Sequence, residues 1–337
     1  MVTIREISKV SGYSQATISR LFKGDESLSI TPETKQKIIT TALTLGYDRS
    51  KIKTTLYKIV VPFFLSRPQV IQDVYFTKVQ NALKDYGKVA NMELHFVTER
   101  SELFTAARGC AGFIGVGELT RSELETLHAL GLKGVLLELN PCPTLFDTVR
   151  PDTDSITQDA LERFISEGFT EIGFIGGRYH NPVTGQEEMD NREKTFREVM
   201  TRHGLLQDKY IFTEGLFSID EGYQLASEMY KTLPVLPEAC LIASDTLAIG
   251  ALQAFSEYGV KLPKDMAIIS INNDEIAQYV APPLTTYDID VTEMIKTAIY
   301  LLTDQLTNPR KITKSVLLGS ELMIRKSFVP TAKKTAS

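Results

Sequence analysis

The chain has few of the residues from which disulfide frameworks and metal sites are built. Its 337 residues include three cysteines, Cys110, Cys142 and Cys240, and only four histidines. The cysteines are odd in number and far apart, and the histidines show no ligand spacing, so we expect neither disulfide bonds nor a bound metal. The pattern favours free thiols that are buried or lie on the surface.

Long apolar runs and the short motifs of common enzymes are also missing. No stretch approaches the length of a membrane span, and the first residues have the pattern of a helix instead of a signal peptide. We therefore expect a cytoplasmic protein with no membrane contact. Residues 112–117 are rich in glycine, but no complete dinucleotide fingerprint, phosphate-cradling loop or nucleophile elbow is present. The sequence thus predicts no cofactor and no enzyme activity.

Charge is unevenly distributed along the chain. The whole sequence has 37 Lys and Arg residues against 42 Asp and Glu residues, yet residues 1–58 contain ten basic and five acidic side chains. The amino-terminal segment therefore has a net charge of +5 and the remainder −10. Because an acidic body repels phosphates, any contact with nucleic acid should be confined to the first 58 residues and should weaken as salt rises.

Three short helices are predicted in this basic segment. Thr3 and Glu6 have the spacing of a capping box, which starts a helix, and Gly12 permits the tight bend that follows it. Ser14 is placed to cap a second helix, and Thr31, followed by proline, marks the start of a third. This succession is typical of helix-turn-helix heads, which place side chains in a DNA groove. The alternative is an unrelated small helical subdomain.

The rest of the chain alternates short apolar strands with amphipathic helices. The predicted strands lie around residues 59–61, 94–97, 112–116, 134–139, 172–175, 240–243 and 266–271. The predicted helices lie near residues 75–87, 121–131, 155–168, 191–204, 219–232 and 246–258. Apolar runs joined by helical crossovers indicate parallel sheets that are buried on both faces. Since the pattern repeats after a break near 147–152, we predict two doubly wound lobes, whose ligands bind at the carboxyl ends of the strands.

Three stretches of the sequence carry a family resemblance. Residues Val2–Arg20, with Glu33–Ile38 and Leu45–Tyr47, resemble the amino-terminal head of the LacI/GalR transcription regulators, and the resemblance extends more thinly over nearly the whole chain. Within that family, features such as the insertion Asp25–Ile30 are most similar to the group of the evolved β-galactosidase operon repressor and the galactose operon repressors. The resemblance implies an all-α head and an α/β body of periplasmic-binding-protein type, with two parallel-sheet lobes around a cleft.

The expected domain boundaries follow from this resemblance. They are a head at 1–46, a hinge linker at 47–58, an effector-binding and dimerisation body at 59–330 and a tail at 331–337. The N-lobe is expected at about 59–147 and 288–313, and the C-lobe at about 148–287 and 314–330. The chain would cross between lobes near Phe146, Tyr287 and Ile312. Because the tail is short and polar, we expect a homodimer without the leucine-heptad segment of tetrameric relatives.

The resemblance also implies which head residues contact DNA. Gln15, Ala16 and Arg20 would face base edges in the major groove, since arginine is the usual bidentate partner of guanine. Phosphate contacts are expected from the remaining polar positions, which are Thr3, Ser14, Thr17, Ser19 and Lys23. Lys23 stands where the family usually has asparagine. In the linker, Leu56 is aligned with the leucine that relatives insert into the minor groove, and Ile52 or a flexible tether are the alternatives.

An effector site is implied at the strand ends of the two lobes. Arg192 occupies the position of the family's effector-binding arginine, Phe217 matches an aromatic platform, and Glu138 and Asn272 each replace an aspartate. The full set of expected contacts is Tyr75, Glu138, Asn140, Arg192, Phe217, Ser244, Asp245 and Asn272. Carboxylates, amides and an arginine fork suit sugar hydroxyls. For Ser244 and Asp245 a helix cap is the equal alternative, and Tyr75 fits a core position as well.

Together these features predict a homodimeric repressor of a sugar-utilisation operon. A small sugar, most simply a galactoside, would release it from a palindromic operator. The alternatives are a regulator whose effector increases DNA affinity, an activator, and a sugar-converting enzyme with a DNA-binding head. A periplasmic sugar carrier would need an export signal. The sign of the coupling depends on which conformation the ligand prefers, and the sequence leaves it open.

Overall fold

The computed structural model describes residues 2–25, 27–48, 51–54, 57–65, 74–181 and 186–330. The chain forms two compact units. The first comprises the described residues of Met1–Phe64, Val79–Val149 and Thr292–Val316, and the second those of Leu65–Lys78, Arg150–Val291 and Leu317–Ser337. Within the described residues, no helix is long and apolar enough to cross a membrane.

The head contains the three predicted helices, α1 (Ile4–Ser11), α2 (Gln15–Phe22) and α3 (Pro32–Thr44). The capping box is confirmed, because the Thr3 amide donates to Glu6 Oε2 at 2.7 Å and the Glu6 amide donates to Thr3 Oγ1 at 3.3 Å. The predicted caps Ser14 and Thr31 also accept from the first turns of their helices. Gly12 has a φ of 82°, a left-handed conformation that glycine adopts without steric cost.

The core of the head extends beyond its expected end at residue 46. Ile52, which lies in the expected linker, has no exposed surface and packs in the same apolar cluster as Ile7 and Ile18. Thr54 is buried too, and its hydroxyl donates to the Leu21 carbonyl. Tyr57 and Lys58, also expected in the linker, lie in the first strand of the body, Tyr57–Phe64, whereas the linker segment 51–54 completes the head. Its basic, Thr-rich composition hid this role, because a single apolar residue is enough to anchor a short segment on a small core.

Strands are numbered in chain order. The first unit contains most of a six-stranded sheet, which consists of β1 (Tyr57–Phe64), β2 (Met92–Val97), β3 (Gly112–Gly117), β4 (Lys133–Leu137), β5 (Asp147–Pro151) and β13 (Ser315–Leu318). The strand order is β13-β5-β4-β3-β1-β2. The pairs β1–β2, β1–β3, β3–β4 and β4–β5 are parallel. The centre of the sheet is apolar on both faces, as the Val/Ile/Leu runs predict.

The second unit contains another six-stranded sheet, of β6 (Ile172–Gly176), β9 (Ile211–Thr213), β10 (Ala239–Ile242), β11 (Ala267–Asn272), β12 (Thr285–Asp288) and β14 (Glu321–Met323). The order is β14-β12-β11-β10-β6-β9, and only β14 runs antiparallel to its neighbour among the pairs described. A separate hairpin pairs β7 (Arg178–His180) with β8 (Glu187–Met189). The predicted fold class is confirmed: an all-α head and two parallel-dominated sheets with helices.

The body helices agree with the predicted ones, with additions. They are Val74–Val89, Leu103–Ala107, Arg121–Ala129, Thr153–Ser166, Asn191–Arg202, Ile219–Thr232, Asp245–Glu257 and Val291–Thr307. Short 3₁₀ turns lie at Arg100–Glu102, Asp208–Tyr210 and Glu275–Gln278. Two glycines bring the helices Ile219–Thr232 and Asp245–Glu257 close together. A Cβ at Gly222 would collide with the Leu247 carbonyl, and one at Gly250 with the Ile219 carbonyl.

Two expected lobe boundaries differ from the structure. β5 extends to Pro151 in the first sheet, a few residues past the expected end of the N-lobe at about 147, and β13 lies in the first sheet, a few residues past the expected change of lobe at about 313. The Thr148 amide donates to the Lys314 carbonyl at 2.9 Å, which ties the two strands together. Both are short segments of four or five residues, so their apolar pattern is too weak to assign them to a sheet from sequence.

Candidate functional site

The polar face of α2 lies on the surface of the head. Gln15, Ala16 and Arg20 are exposed, while Ile18 and Leu21 on the opposite face are buried in the head core. The cap Ser14 and the C-terminal Lys23 are exposed as well, and Thr17 and Ser19 are half-buried. A helix fixed through one face by a packed core presents its other face as a rigid surface, which is what reading base edges requires.

Two of the hydroxyls expected to hold phosphates, those of Thr3 and Ser14, also act as helix caps. Thr3 Oγ1 donates to Glu6 Oε2 at 2.9 Å, and Ser14 Oγ lies 2.8 Å from Thr17 Oγ1. The capping hydrogen bonds lower the pKa of Glu6, because they favour its charged form. Helix N-termini attract anions through their amide groups, so a capping role is compatible with a nearby phosphate.

Arg20 is held by two residues of the insertion that follows α2. Its Nε lies 2.7 Å from Asp25 Oδ2, and its Nη2 donates to Ser27 Oγ at 2.9 Å. The hydrogen bond from Arg20, with those from Ser27, lowers the pKa of Asp25 to about 2. Asp25 is therefore ionised at any physiological pH. Sequence reasoning marked the insertion only as a family feature and missed this contact.

The two candidates for the minor-groove wedge have different outcomes. Ile52 is buried in the head core, a position that leaves no surface for insertion between bases. Leu56 lies outside the described residues, so its role stays a prediction. The Lys53 amide donates to the Phe22 carbonyl at 2.7 Å, which fixes the chain just before Leu56 to the end of α2.

Arg192 is the centre of a polar cluster in the second unit. Asp190, which precedes the helix Asn191–Arg202 and caps it, holds the guanidinium with both carboxylate oxygens, at 2.6 Å from Nε and 2.9 Å from Nη2. Arg192 Nη1 also donates to the Ala243 carbonyl, just beyond β10, at 2.8 Å. The guanidinium carbon lies 4.4 Å from the ring centre of Phe217, a cation–π distance. The structure thus brings Arg192 and Phe217 together.

Asp190 is the functional candidate that sequence reasoning missed. Burial alone would raise its pKa, but the charge of Arg192 and the hydrogen bonds from it outweigh burial and lower the pKa. The pair is therefore charged and locked in one geometry. The signal was present in the sequence: an aspartate two residues before an arginine, at the predicted start of a helix, is placed to cap the helix and to pair with that arginine.

A second ion cluster forms around the buried Glu193 of the same helix. Glu193 has no exposed surface, and it accepts from Arg197 Nε at 2.8 Å and lies 3.5 Å from Arg178 Nη1. Arg178 belongs to the hairpin β7–β8, so Glu193 ties that hairpin to the helix that carries Arg192. In the same hairpin the Tyr179 hydroxyl donates to Glu188 at 2.9 Å, and burial, together with this bond, raises the pKa of Tyr179 to about 12.

Ser244 and Asp245 have structural roles at the end of β10. Ser244 Oγ accepts from the Leu247 amide at 3.2 Å, so the helix-cap alternative is confirmed for Ser244. Asp245 is fully buried. Its carboxylate accepts from Thr286 Oγ1 at 2.7 Å, from the Asp274 amide at 2.7 Å and from Ser270 Oγ. Burial raises the pKa of Asp245 to about 7. This carboxylate joins the ends of β10, β11 and β12 and leaves no surface for a ligand in this conformation.

Asn272 ends β11 in an unusual backbone conformation. Its φ is 122°, and that of Asn273 is 53°. Asparagine tolerates positive φ better than most residues with a side chain. Asn273 Nδ2 donates to Asp288 Oδ1 at 2.7 Å, and its oxygen accepts from Arg325, so this neighbour is used inside the second unit. Asn272 is half-buried at the same strand end, one residue before it.

The remaining expected contacts lie on other elements. Glu138 and Asn140 both follow β4 in the first unit, and Glu138 has a φ of 66°. Asn140 braces its own loop, since its Nδ2 donates to Thr148 Oγ1 at 2.8 Å and its Oδ1 accepts from the Cys142 amide. Tyr75 is buried and makes an edge contact with Phe76, which agrees with the core alternative. Among the described residues, no group of three His, Cys, Asp or Glu side chains is placed to hold a metal ion.

The chain is similar to known regulators over its whole length. Residues 161–328 match a periplasmic binding protein-like domain. The chain is 38% identical over 329 residues to the HTH-type transcriptional regulator GanR of Bacillus subtilis (strain 168), which covers 97% of this chain and 100% of GanR. It is 40% identical over 342 residues to the HTH-type transcriptional regulator LacR of Lactobacillus helveticus, covering 99% and 100%. The lac repressor dimer bound to operator and the anti-inducer ONPF has the same fold, with a TM-score of 0.69, 19% identity and coverage of 97% and 98%.

Proposed function

We propose a function for this chain from its family, since it belongs to the LacI/GalR family of helix-turn-helix transcription regulators. In this proposal it is a homodimer that represses a sugar-utilisation operon. It binds a palindromic operator through the heads and is released when a small sugar, a galactoside, binds at the strand ends of the body. The resemblance to repressors of galactose and galactoside operons directs the proposal to that class of sugar.

One observation carries this proposal. The same chain has an exposed polar helix face on the head and, in the body, an arginine that is fixed beside an aromatic ring at the end of a parallel sheet. The first feature suits base edges and phosphates. The second suits a sugar, because a guanidinium and a carboxylate donate to and accept from adjacent hydroxyls. A protein with both a DNA-binding surface and a site for a small polar ligand can act as a regulator, because ligand binding can change its affinity for DNA.

The test begins by selecting a DNA duplex from random sequences, since the operator is unidentified. Binding of the full chain to this duplex and to a random duplex is measured by fluorescence anisotropy at one salt concentration, with a panel that includes galactose, lactose, cellobiose and ribose. We expect a galactoside to weaken binding to the selected duplex at least about tenfold, an effect within the usual range of coupling between two binding sites. Random duplex should respond much less.

Other outcomes select the alternatives. A sugar that strengthens binding to the selected duplex is a corepressor. Release by a sugar that is not a galactoside refutes the galactoside assignment alone. If no sugar changes DNA binding and the protein hydrolyses a galactoside, the repressor proposal is wrong and the enzyme with a DNA-binding head replaces it.

We expect the chain to be a dimer in dilute solution. One head offers only α2 to the major groove, so two heads spaced by about one turn of DNA are needed to read a palindrome with useful affinity. Light scattering should give twice the chain mass of 37.6 kDa. The same measurement with the selected duplex should add the mass of one duplex to two chains. A mass of one chain or of four chains would contradict the prediction.

A further inference from the structure

The guanidinium of Arg20 is held along one edge by two side chains. Its Nε lies 2.7 Å from Asp25 Oδ2, and its Nη2 donates to Ser27 Oγ at 2.9 Å. Arg20 is nevertheless half-exposed, with 49% of its side-chain surface accessible. An exposed arginine usually samples many rotamers, whereas one held through Nε and Nη2 has a fixed guanidinium plane.

The local sequence builds this clamp from a tight turn after α2. Gly24 has a φ of 72°, which reverses the chain, and the Asp25 amide donates back to the Arg20 carbonyl at 3.1 Å. Asp25 Oδ1 then accepts from the Ser27 amide at 3.0 Å and from its hydroxyl at 2.6 Å. One carboxylate oxygen therefore faces Arg20 and the other fixes Ser27, which completes the clamp.

An apolar anchor holds the turn on the head. The Leu28 amide donates to the Asp25 carbonyl at 3.1 Å, and Leu28 packs on the head core together with Ile30. The clamp is therefore attached to the same rigid core as α2. Its position relative to Arg20 is set by packing and not by the ion pair alone, which at an exposed site would contribute little.

We propose that Asp25 and Ser27 are positioning residues that set the sequence specificity of Arg20. Nε and one Nη2 hydrogen point at the clamp, so the guanidinium presents its other edge, formed by Nη1 and Nη2, to the outside. Two parallel N–H groups on that edge match O6 and N7 of a guanine. Because the guanidinium plane is fixed before binding, contact with guanine costs less side-chain entropy. The fixed plane also makes it harder for Arg20 to adjust to another base. The inference rests on the proposed contact of Arg20 with a base edge.

Asp25 could instead act against DNA binding, and removing it would then change operator affinity in the opposite direction. If Asp25 instead competes with DNA for Arg20, its removal increases operator affinity. Electrostatic repulsion of phosphates by the carboxylate is a third effect, and it acts equally on every sequence. The ratio of affinities for operator and random duplex separates these cases, because only positioning makes that ratio fall when Asp25 is removed.

The test compares Asp25→Ala, Asp25→Asn and Ser27→Ala with the wild-type chain. Affinities are measured at one salt concentration for the selected duplex, for duplexes in which each guanine of a half-site is replaced in turn, and for random duplex. We expect Asp25→Ala to lower the operator-to-random ratio about tenfold, the discrimination of a good base contact at the lower end of its range. Binding to random duplex should stay equal or rise a few-fold, since a negative charge is lost. Asp25→Asn and Ser27→Ala should each lower the ratio less, because each keeps part of the clamp.

Asp48→Asn provides the matched control. Asp48 is a half-exposed acidic residue of the head that lies 3.9 Å from Lys51, far along the chain from α2. Its neutralisation should strengthen binding to all duplexes alike and leave the ratio unchanged. Thermal unfolding of each variant shows whether the head remains folded. In an Arg20→Ala background, Asp25→Ala should no longer change the ratio.

Two results would overturn the inference. One is an unchanged ratio for Asp25→Ala in a folded protein, and the other is a ratio that rises. A different result would contradict the proposed contact of Arg20 with a base edge. If Arg20→Ala itself leaves the ratio unchanged, Arg20 is not a base-reading residue. If Arg20→Ala lowers the ratio while Asp25→Ala does not, the base contact stands and only the positioning role is wrong.

Discussion

Replacement of Arg20 by alanine is expected to remove most of the discrimination between operator and random DNA. A bidentate contact to guanine contributes about 1–3 kcal/mol of discrimination, which is roughly 5- to 150-fold for each head that makes it. Arg20 lies on the exposed face of α2, and its loss leaves behind Asp25, which is still partly exposed to water, so the stability of the head should change little. The measurement is the affinity of Arg20→Ala for the selected duplex and for random duplex at one salt concentration.

Lys23→Ala is the matched control for this variant. Lys23 is an exposed cation one residue after the end of α2, where it suits a phosphate. Its loss should weaken binding to both duplexes alike and reduce the salt dependence by about one phosphate contact. Equal losses on operator and random duplex for Arg20→Ala would place Arg20 among the phosphate contacts and leave the base-reading assignment without support.

The helices and the central strands were predictable because their signals are local. The helix Ile219–Thr232 has both predicted ends, and α1 begins at the residue after its predicted cap. Capping boxes and periodic apolar positions act within one or two turns, so the chain around them decides the outcome. The parallel sheets followed from continuous apolar runs, which only burial on both faces explains.

Some elements were missed although the sequence contained their signal. The helix Val291–Thr307 buries Met294, Ile295, Ala298 and Leu302, positions with helical spacing. Edge strands are different. β14 is short and its residues alternate between exposed and half-buried, so tertiary contact and not local pattern makes it a strand. The five-residue helix Leu103–Ala107 is likewise too short to have a period.

The candidate site was predictable in residue type more than in side-chain direction. Arg192 and Phe217, both expected at the effector site, lie beside each other, and their contact with an effector stays a prediction. Asp245 was expected among ligand contacts with a cap as the alternative, but Ser244 caps the helix and the Asp245 carboxylate is buried. It points inward to Ser270 and Thr286. A polar side chain between a strand end and a helix can point outward to a ligand or inward to the protein. For Asp245 the partners that favour the inward direction are 25 and 41 residues away in the sequence.

Replacement of Arg192 by alanine is expected to abolish the response to sugar while operator binding persists. The variant removes the guanidinium that Asp190 and Ala243 position, and charged hydrogen bonds to ligand hydroxyls are each worth about 1.5–3 kcal/mol. The loss of two such bonds corresponds to a decrease in sugar affinity of at least about 100-fold. The head is unchanged, so affinity for the selected duplex without sugar should stay within a few-fold of wild type.

The loss of the sugar response must be separated from a loss of stability. Arg192→Ala leaves the largely buried carboxylate of Asp190 without its ion-pair partner. Breaking such a pair costs about 3–5 kcal/mol of stability at buried sites. A second variant, Arg192→Ala with Asp190→Asn, removes that charge and keeps a side chain that caps the helix. Arg202→Ala, an exposed arginine at the end of the same helix, is the control. Calorimetric titration with the active sugar and DNA release by it are then measured on all three. If the double variant is folded and still releases DNA at the wild-type sugar concentration, Arg192 serves only to cross-link β10 to its helix, and the effector binds elsewhere.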